Sequence, residues 1–397
     1  MTVLLITEQI EPGGKRSHVE ALFSGLEAIG WHPRLFDRRS LSFSDRALIS
    51  IPIRTLDFLG RGLGHLWLIP ELERAMKRRL RAMRRSLTDV SVLHVQEPTS
   101  FSAARASGMG KPVALTVHGP IHREVASGYG LELSHPVIRR LYEIERRAYL
   151  EADAVIAVDR AHAEYVRSFG REDVWSIPNF VDTRRFHPDV VPHPLPAQTE
   201  AWIAGRQILL CTRRLVPKNG VDIALRAVGI LAEQRIPCVL IIVGDGPQRA
   251  SLEGLAREMD LARVVRFVGS APPPAIPGWC RRASAVLVPS VPSMGVEEAT
   301  SISVLEAQAC ARPVVASSLG GILEIVEDGV SGLLVPPGDP EALAGAVQRV
   351  LIDSELGRRL GACAAARVAE EHSHVAGARR YAAVYRHLNF TPSAPPH

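Results

Sequence analysis

What the 397-residue chain lacks narrows its class first. It has only five cysteines, Cys211, Cys238, Cys280, Cys310 and Cys363, and none forms a C-x-x-C pair. Most sit in apolar runs, which predicts reduced, buried thiols in a cytoplasmic protein rather than a disulfide framework. No apolar run approaches the roughly 20 residues that a membrane-spanning helix needs. The segment Met1 to Ile10 holds a short apolar run, with Glu8 and Glu11 close behind. It is too short and too acidic for a secretory leader. These absences predict a cytoplasmic location, with peripheral contact at the inner membrane surface as the one membrane option. No motif that reads RNA or DNA occurs, and the net charge of +5 is a mild excess. Such a balance suits anionic small ligands or an anionic surface, not a nucleic-acid partner.

What is present reads as a soluble α/β chain. Hydrophobic residues make up 46% and charged residues 22% of the sequence, and the length suffices for two cores. Short Val/Ile-rich runs alternate with longer helical patterns, the signature of parallel βαβ units. In the first half this predicts strands at Val3–Thr7, Val90–Val95, Val113–Val117, Val155–Val158 and Trp175–Ile177, with helices such as Ser17–Ile29 and Val137–Leu150 between them. In the second half the predicted strands are Ile208–Thr212, Val239–Val243, Val265–Val268, Ala285–Val288, Val314–Ala316 and Leu333–Val335. The stretch His187–Ala197 carries Pro188, Pro192, Pro194 and Pro196, a density that ends regular structure and marks a linker. The expected layout is a first domain over 1–190 and a second over 198–374. A final helix near Val375–Leu388, within 375–397, packs back on the first domain, and Thr391–His397 is frayed. Two doubly wound parallel sheets would then face each other across a cleft, with ligands beyond the carboxyl ends of the strands.

One segment invites two readings. Glu71–Arg85 places Leu72, Ala75, Met76, Leu80 and Met83 at helical spacing among seven basic residues. It is either a surface helix with a solvated basic face or a helix that lies on anionic lipid, with Leu56–Pro70 ahead of it as an apolar rim.

The motif richest in chemistry runs from Glu298 to Glu306, Glu-Ala-Thr-Ser-Ile-Ser-Val-Leu-Glu. A helix is expected to begin near Ser301–Ser303 and to end before Pro313. The unpaired amides and dipole of its first turn form an anion site that accepts a diphosphate without a metal. Glu298 then lies on the preceding loop and Glu306 on the first turns, so the carboxylates reach different parts of one ligand. Ser303-x-x-Glu306 is also a capping-box pattern, which would explain Glu306 but not Glu298.

This motif and its companions resemble the GT-B retaining glycosyltransferases of family 4, which carry Glu-x7-Glu. The resemblance spans nearly the whole chain: Gly13-Gly14 followed by His18; Leu115-Thr-Val-His118; Ala152 to Ala157; Ile177-Pro-Asn-Phe-Val-Asp182; Arg214-Leu-Val-Pro-Lys218; Val243-Gly-Asp-Gly-Pro247; Glu298 to Glu306; and Gly320-Gly321 with Glu324 to Gly329. It implies two Rossmann-like domains and a nucleotide-diphosphate sugar as donor substrate, with no cofactor and no metal. The acceptor would be a hydroxyl of a lipid-linked sugar, a polysaccharide or a small metabolite. By the same resemblance Glu306 binds the donor ribose, Glu298 holds the transferred sugar and His118 contacts that sugar as a catalytic group. The donor diphosphate falls to the backbone at Ser301, Ile302 and Ser303 and to Arg214 with Lys218, while Gly13 and Gly14 let backbone approach a phosphate or sugar of the donor and Gly246 lies near it. The basic pair stands in for a metal, and no Asp-x-Asp occurs in the chain.

The sequence also departs from that pattern. Ala299-Thr300-Ser301 replaces the usual Gly-Phe-Gly. Five places after Arg214 stands Asn219, with Lys218 one earlier, which leaves the phosphate-binding lysine open. Ala311 stands where a helix-ending glycine is common, at a cost of about 1 kcal/mol if its backbone is left-handed. Asn179 either shapes a loop or touches ligand. Two rivals share the fold: a nucleotide-sugar epimerase or hydrolase, and a catalytically silent sugar-nucleotide-binding protein.

Overall fold

The computed structural model describes residues 1–8, 13–47, 49, 63–192, 195, 197–293 and 298–390. The chain divides into two compact units. The first comprises Met1–Glu11, Val19–Pro178 and Val375–His397; the second comprises Pro12–His18 and Asn179–His374.

The sheet of the first unit contains β1 (Thr2–Ile6), β2 (His32–Phe36), β3 (Val90–Val95), β4 (Val113–Val117), β5 (Ala154–Ala157) and β6 (Val174–Ser176). Its order is β2-β1-β3-β4-β5-β6, and the described pairings are parallel. The predicted strands appear here, shifted by about one residue. The strand that composition did not reveal is β2, His-Pro-Arg-Leu-Phe, whose burial alternates instead of running unbroken. It sits at the sheet edge, where Pro33 is tolerated because an edge strand has a side with no ladder to fill.

The sheet of the second unit contains β7 (Gln207–Thr212), β8 (Cys238–Val243), β9 (Val265–Gly269), β10 (Ala285–Val288), β11 (Val314–Ser317) and β12 (Leu333–Val335). Its order is β12-β11-β10-β7-β8-β9, again parallel. Helices such as Val221–Glu233 and Pro340–Ile352 bury apolar faces against it. All six residues of β8 are buried. Each large aliphatic side chain there contributes roughly 1.5–3 kcal/mol by leaving water. In each sheet the strand order turns back on itself, between β1 and β3 in the first and between β7 and β10 in the second. Such a switch point opens a crevice at the carboxyl ends of the strands.

The division into units falls between Pro178 and Asn179, ahead of the proline-rich stretch 187–197. The reason is packing: Val181 and Phe186 belong to the same buried cluster as Ile208, Leu210 and Val286. Residues 193, 194 and 196 lie outside the described residues. The helix His374–Phe390 has its main body in the first unit, and the tail 391–397 lies outside the described residues. Cys211, Cys238, Cys280 and Cys310 are buried as expected, but Cys363 is exposed. In helix Ser354–Glu371 the buried positions are Gly357, Leu360, Gly361, Ala364 and Val368, and Cys363 falls off that stripe.

The basic segment lies within helix Leu63–Met83 and the short turn that follows it. Leu72, Ala75, Met76 and Leu80 are buried in the core of the first unit. The face expected to lie on lipid is therefore enclosed by protein. The six arginines of the segment are exposed and Lys77 is half-buried; several hold local partners: Arg74 with Glu71, Arg78 with Asp45, and Arg79 with the Ser40 carbonyl. Of the expected rim Leu56–Pro70, residues 56–62 lie outside the described residues. None of the described helices is long and apolar enough to cross a membrane.

Candidate functional site

In the second unit the chemistry gathers where strands end. β7 stops at Thr212 and is followed by Arg213 and Arg214. The two consecutive arginines take opposite environments, because successive residues of an extended chain face opposite ways. Arg214 is exposed. Arg213 is buried and makes three contacts with acceptors. Its Nη1 donates to Ser290 Oγ at 2.8 Å, and its Nη2 donates to Asn219 Oδ1 at 2.7 Å and to Glu298 Oε2 at 2.9 Å. The Arg213 side chain is 4% exposed and that of Glu298 12%. Ser290 follows β10, so the arginine bridges the switch point between β7 and β10.

Asn219, at the position where a lysine was expected, is thus an acceptor for Arg213. It also donates from Nδ2 to the Arg214 carbonyl at 2.7 Å, which holds the turn Pro217–Asn219 in place. Lys218 lies in that turn, half-buried. Sequence reasoning missed Arg213. The Arg-Arg doublet was its signal, but spacing alone does not say which of the pair turns inward.

The helix of the motif runs Ile302–Ala309 with Ser301 at its N-cap. Among the described residues no side chain caps it. Ser303 Oγ instead donates to the Thr212 carbonyl at 2.8 Å, so the capping-box alternative for Ser303 and Glu306 is not realised. Ser301 and Ile302 are buried. Glu306 is buried within the helix and accepts from Ser17 Oγ at 3.3 Å. Burial pushes its carboxyl up to about 7, outweighing the Ser17 hydrogen bond and the charge of Arg185. Glu298 lies on the loop before the helix, and its carbonyl accepts from the Gly321 amide at 2.9 Å. Residues 294–297 lie outside the described residues.

Three glycines of the expected site have different surroundings. Gly246 has a packing reason: a Cβ there would lie 2.4 Å from the Leu215 carbonyl oxygen. Gly13 has a φ of +147°, and a Cβ there would meet no atom of the described residues within 4 Å, so its backbone faces open space. Gly14 begins the helix Gly14–Ala28, and a Cβ there would meet Ile302 at 3.7 Å.

Asn179 shapes a loop. Its amide and its Nδ2 donate to Thr300 Oγ1 at 2.9 Å and to the Thr300 carbonyl at 2.7 Å. Its Oδ1 accepts from His18 Nδ1 at 2.9 Å. Burial lowers the His18 imidazole to about 4, against the opposing Asn179 hydrogen bond, so the ring is neutral near pH 7. Thr300 therefore serves as an anchor for the loop that carries Glu298 and Ser301.

His118 belongs to the first unit. It follows β4 directly, is half-buried, and its Nε2 lies 3.0 Å from Gln96 Oε1. A separate cavity of about 350 Å³ in that unit touches His122, Arg123 and Tyr142 but none of the predicted site residues.

The architecture has solved counterparts. The chain is similar to sucrose-phosphate synthase from Thermosynechococcus elongatus, with a TM-score of 0.74, 24% identity and 98% of both chains covered. It is also similar to HepE of Anabaena in complex with UDP-glucose, with a TM-score of 0.68, 19% identity, and 98% and 100% of the chains covered. Two doubly wound parallel sheets of this kind define the GT-B class of glycosyltransferase fold. The family model "Glycosyltransferase Family 4" matches residues 12–185, and "Glycosyl transferases group 1" matches residues 197–367. The chain belongs to the family 4 glycosyltransferases.

Among curated relatives, a GDP-mannose-dependent alpha-(1-6)-phosphatidylinositol monomannoside mannosyltransferase of Mycolicibacterium smegmatis is 32% identical, covering 64% of this chain and 68% of the relative. An alpha-D-kanosaminyltransferase of Streptomyces kanamyceticus is 30% identical, covering 62% and 63%. A D-inositol 3-phosphate glycosyltransferase of Thermobispora bispora is 36% identical, covering 46% and 43%. The chain thus spans from under half to about two thirds of these relatives' lengths.

Proposed function

We propose that the chain is a retaining, metal-independent glycosyltransferase that moves a hexosyl group from a nucleoside-diphosphate sugar to a hydroxyl acceptor. The observation that carries this reading is the pair of acidic positions flanking one helix start. Glu306 is held within the helix Ile302–Ala309, and Glu298 is held on the loop before it by Arg213. A carboxylate suits the ribose hydroxyls because both can donate to it. Glu298 faces the transferred sugar, and the amides that open the helix meet the diphosphate. Arg214, exposed beside Arg213, and Lys218 neutralise the leaving phosphate.

Retention follows from front-face attack, with the leaving phosphate oxygen taking the acceptor proton. Neither glutamate is then a nucleophile: Glu298 positions the sugar, and the segment at His118 steadies the oxocarbenium-like state. The names of two relatives give an inositol-bearing acceptor and one a GDP-mannose donor, which supports a nucleotide-sugar donor and a polyol or lipid-linked sugar as acceptor. Membrane contact through Glu71–Arg85 forms no part of the proposal, because the apolar face of that helix is buried.

The test is a panel of nucleotide sugars, including GDP-mannose and UDP-glucose, each with and without sugar and inositol-phosphate acceptors. Acceptor-dependent nucleotide release with an axially retained product supports the reading. Equal release without acceptor indicates a hydrolase, an altered donor sugar indicates an epimerase, and binding without turnover indicates a silent sugar-nucleotide binder.

A further inference from the structure

His118 stands at the end of a buried polar chain that starts on the C-terminal helix. Gln96 Oε1 can only accept, so His118 Nε2 donates to it at 3.0 Å and the ring carries its hydrogen on that nitrogen. The Gln96 amide nitrogen lies 3.3 Å from both ring nitrogens of His94 and so sits over the ring face, where its N–H meets the π cloud rather than a nitrogen lone pair. His94 Nε2 lies 2.7 Å from Thr116 Oγ1, and His94 Nδ1 lies 2.7 Å from the Tyr385 hydroxyl. Thr116 Oγ1 also meets the Tyr381 hydroxyl at 3.2 Å. The rings of Tyr381 and Tyr385 flank His94 with centroids 5.4 and 5.6 Å away. Gln96, His94, Thr116, Tyr381 and Tyr385 are all buried.

A run of polar groups through a sheet core is costly unless every member is satisfied, and once satisfied it is rigid. Apolar residues would pack strands β3 and β4 against the helix His374–Phe390 without that risk. The chain leads from the helix to the half-buried His118 at the carboxyl edge of β4. We propose that Gln96, His94 and Tyr385 are positioning residues for His118: through them the C-terminal helix holds the histidine in one ring orientation and one tautomer. This rests on the reading of His118 as a sugar-contacting group. The pair is separated by 22 residues at Gln96–His118 and by 291 at His94–Tyr385, so the device exists only in the folded unit.

Nitrogen-15 spectra of the imidazoles give the direct test, with His118→Ala supplying the assignment. Wild-type His118 is expected as a single Nε2–H tautomer, and Tyr385→Phe is expected to give a mixture. Turnover of GDP-mannose and UDP-glucose, read as nucleotide released, gives the second arm. Losing the fixed orientation is expected to lower kcat roughly 5- to 10-fold with donor KM held within about twofold. In the His118→Ala background Tyr385→Phe is expected to change nothing further. Gln96→Leu, which cuts the chain beside His118, is expected to reproduce the tautomer mixture and guards against a folding defect in the tyrosine variant. An unchanged tautomer in both variants overturns the proposal, as does an equal loss of kcat in both backgrounds. Wild-type turnover by His118→Ala would instead overturn the reading of His118 on which the proposal stands.

Discussion

Replacing Glu306 by glutamine should make the ligand-free protein more stable and the donor complex weaker. An ordinary glutamate titrates at 4.5, and burial raises Glu306 to about 7. Between those values the folded chain keeps a proton that the unfolded chain has released. Stability therefore falls as pH rises through the window, and above the folded value the full penalty persists. At 1.36 kcal/mol per pH unit the penalty is about 3 kcal/mol. Glutamine keeps the shape and cannot ionise. The variant should match wild type near about pH 4.5 and exceed it by up to about 3 kcal/mol at about pH 8. Donor hydroxyls, in contrast, bind the ionised carboxylate through charge-assisted bonds, and losing that charge should cost about 2 kcal/mol, roughly 30-fold in Kd. Wild-type affinity should then improve with rising pH up to about 7 and level off, with proton release on binding. Chemical denaturation of the ligand-free pair across this pH range, with calorimetry of donor binding in buffers of different ionisation enthalpy, measures both effects. Parallel stability profiles for the two proteins would refute the argument that Glu306 bears a burial penalty. Equal donor affinity would refute its role at the ribose.

Other consequences follow from single contacts. Glu298→Ala should lower turnover with little change in donor Kd, and should destabilise the protein by about 3 kcal/mol by leaving the buried Arg213 guanidinium without its anionic partner; steady-state kinetics and denaturation on the same sample check both. Activity should survive a strong chelator, since Arg214 and Lys218 supply the charge at the leaving phosphate. Loss of activity with rescue by magnesium or manganese would show otherwise. Ala311 has a φ of +54°, so Ala311→Gly should raise stability by about 1 kcal/mol, read as a shift in the denaturation midpoint with kcat unchanged.

The strands of both sheets were legible because buried parallel strands must be nearly continuous in Val, Ile and Leu, and β8 is the clearest case. The edge strand β2 was not, since an edge needs no such run and admits Pro33. Proline density pointed to 187–197 as the boundary, yet the chain had already changed units at Asn179, because Val181 and Phe186 found their apolar partners in the second core. Proline marks where regular structure stops, not which core the preceding residues join. The basic helix shows the same limit: its pattern revealed an apolar face, and only packing determined that protein covers it.

Local order determined the two glutamates at their spacing and the helix start between them. These depend on neighbours a few residues apart, whose relations the chain geometry sets directly. Tertiary structure alone decided that Arg213, and not Arg214, turns in toward Glu298, that Asn179 ties His18 to Thr300, and that Tyr385 reaches His94 across 291 residues. Each is a hydrogen bond between groups that sequence does not order, and its partner is fixed only when burial removes water as the competing one.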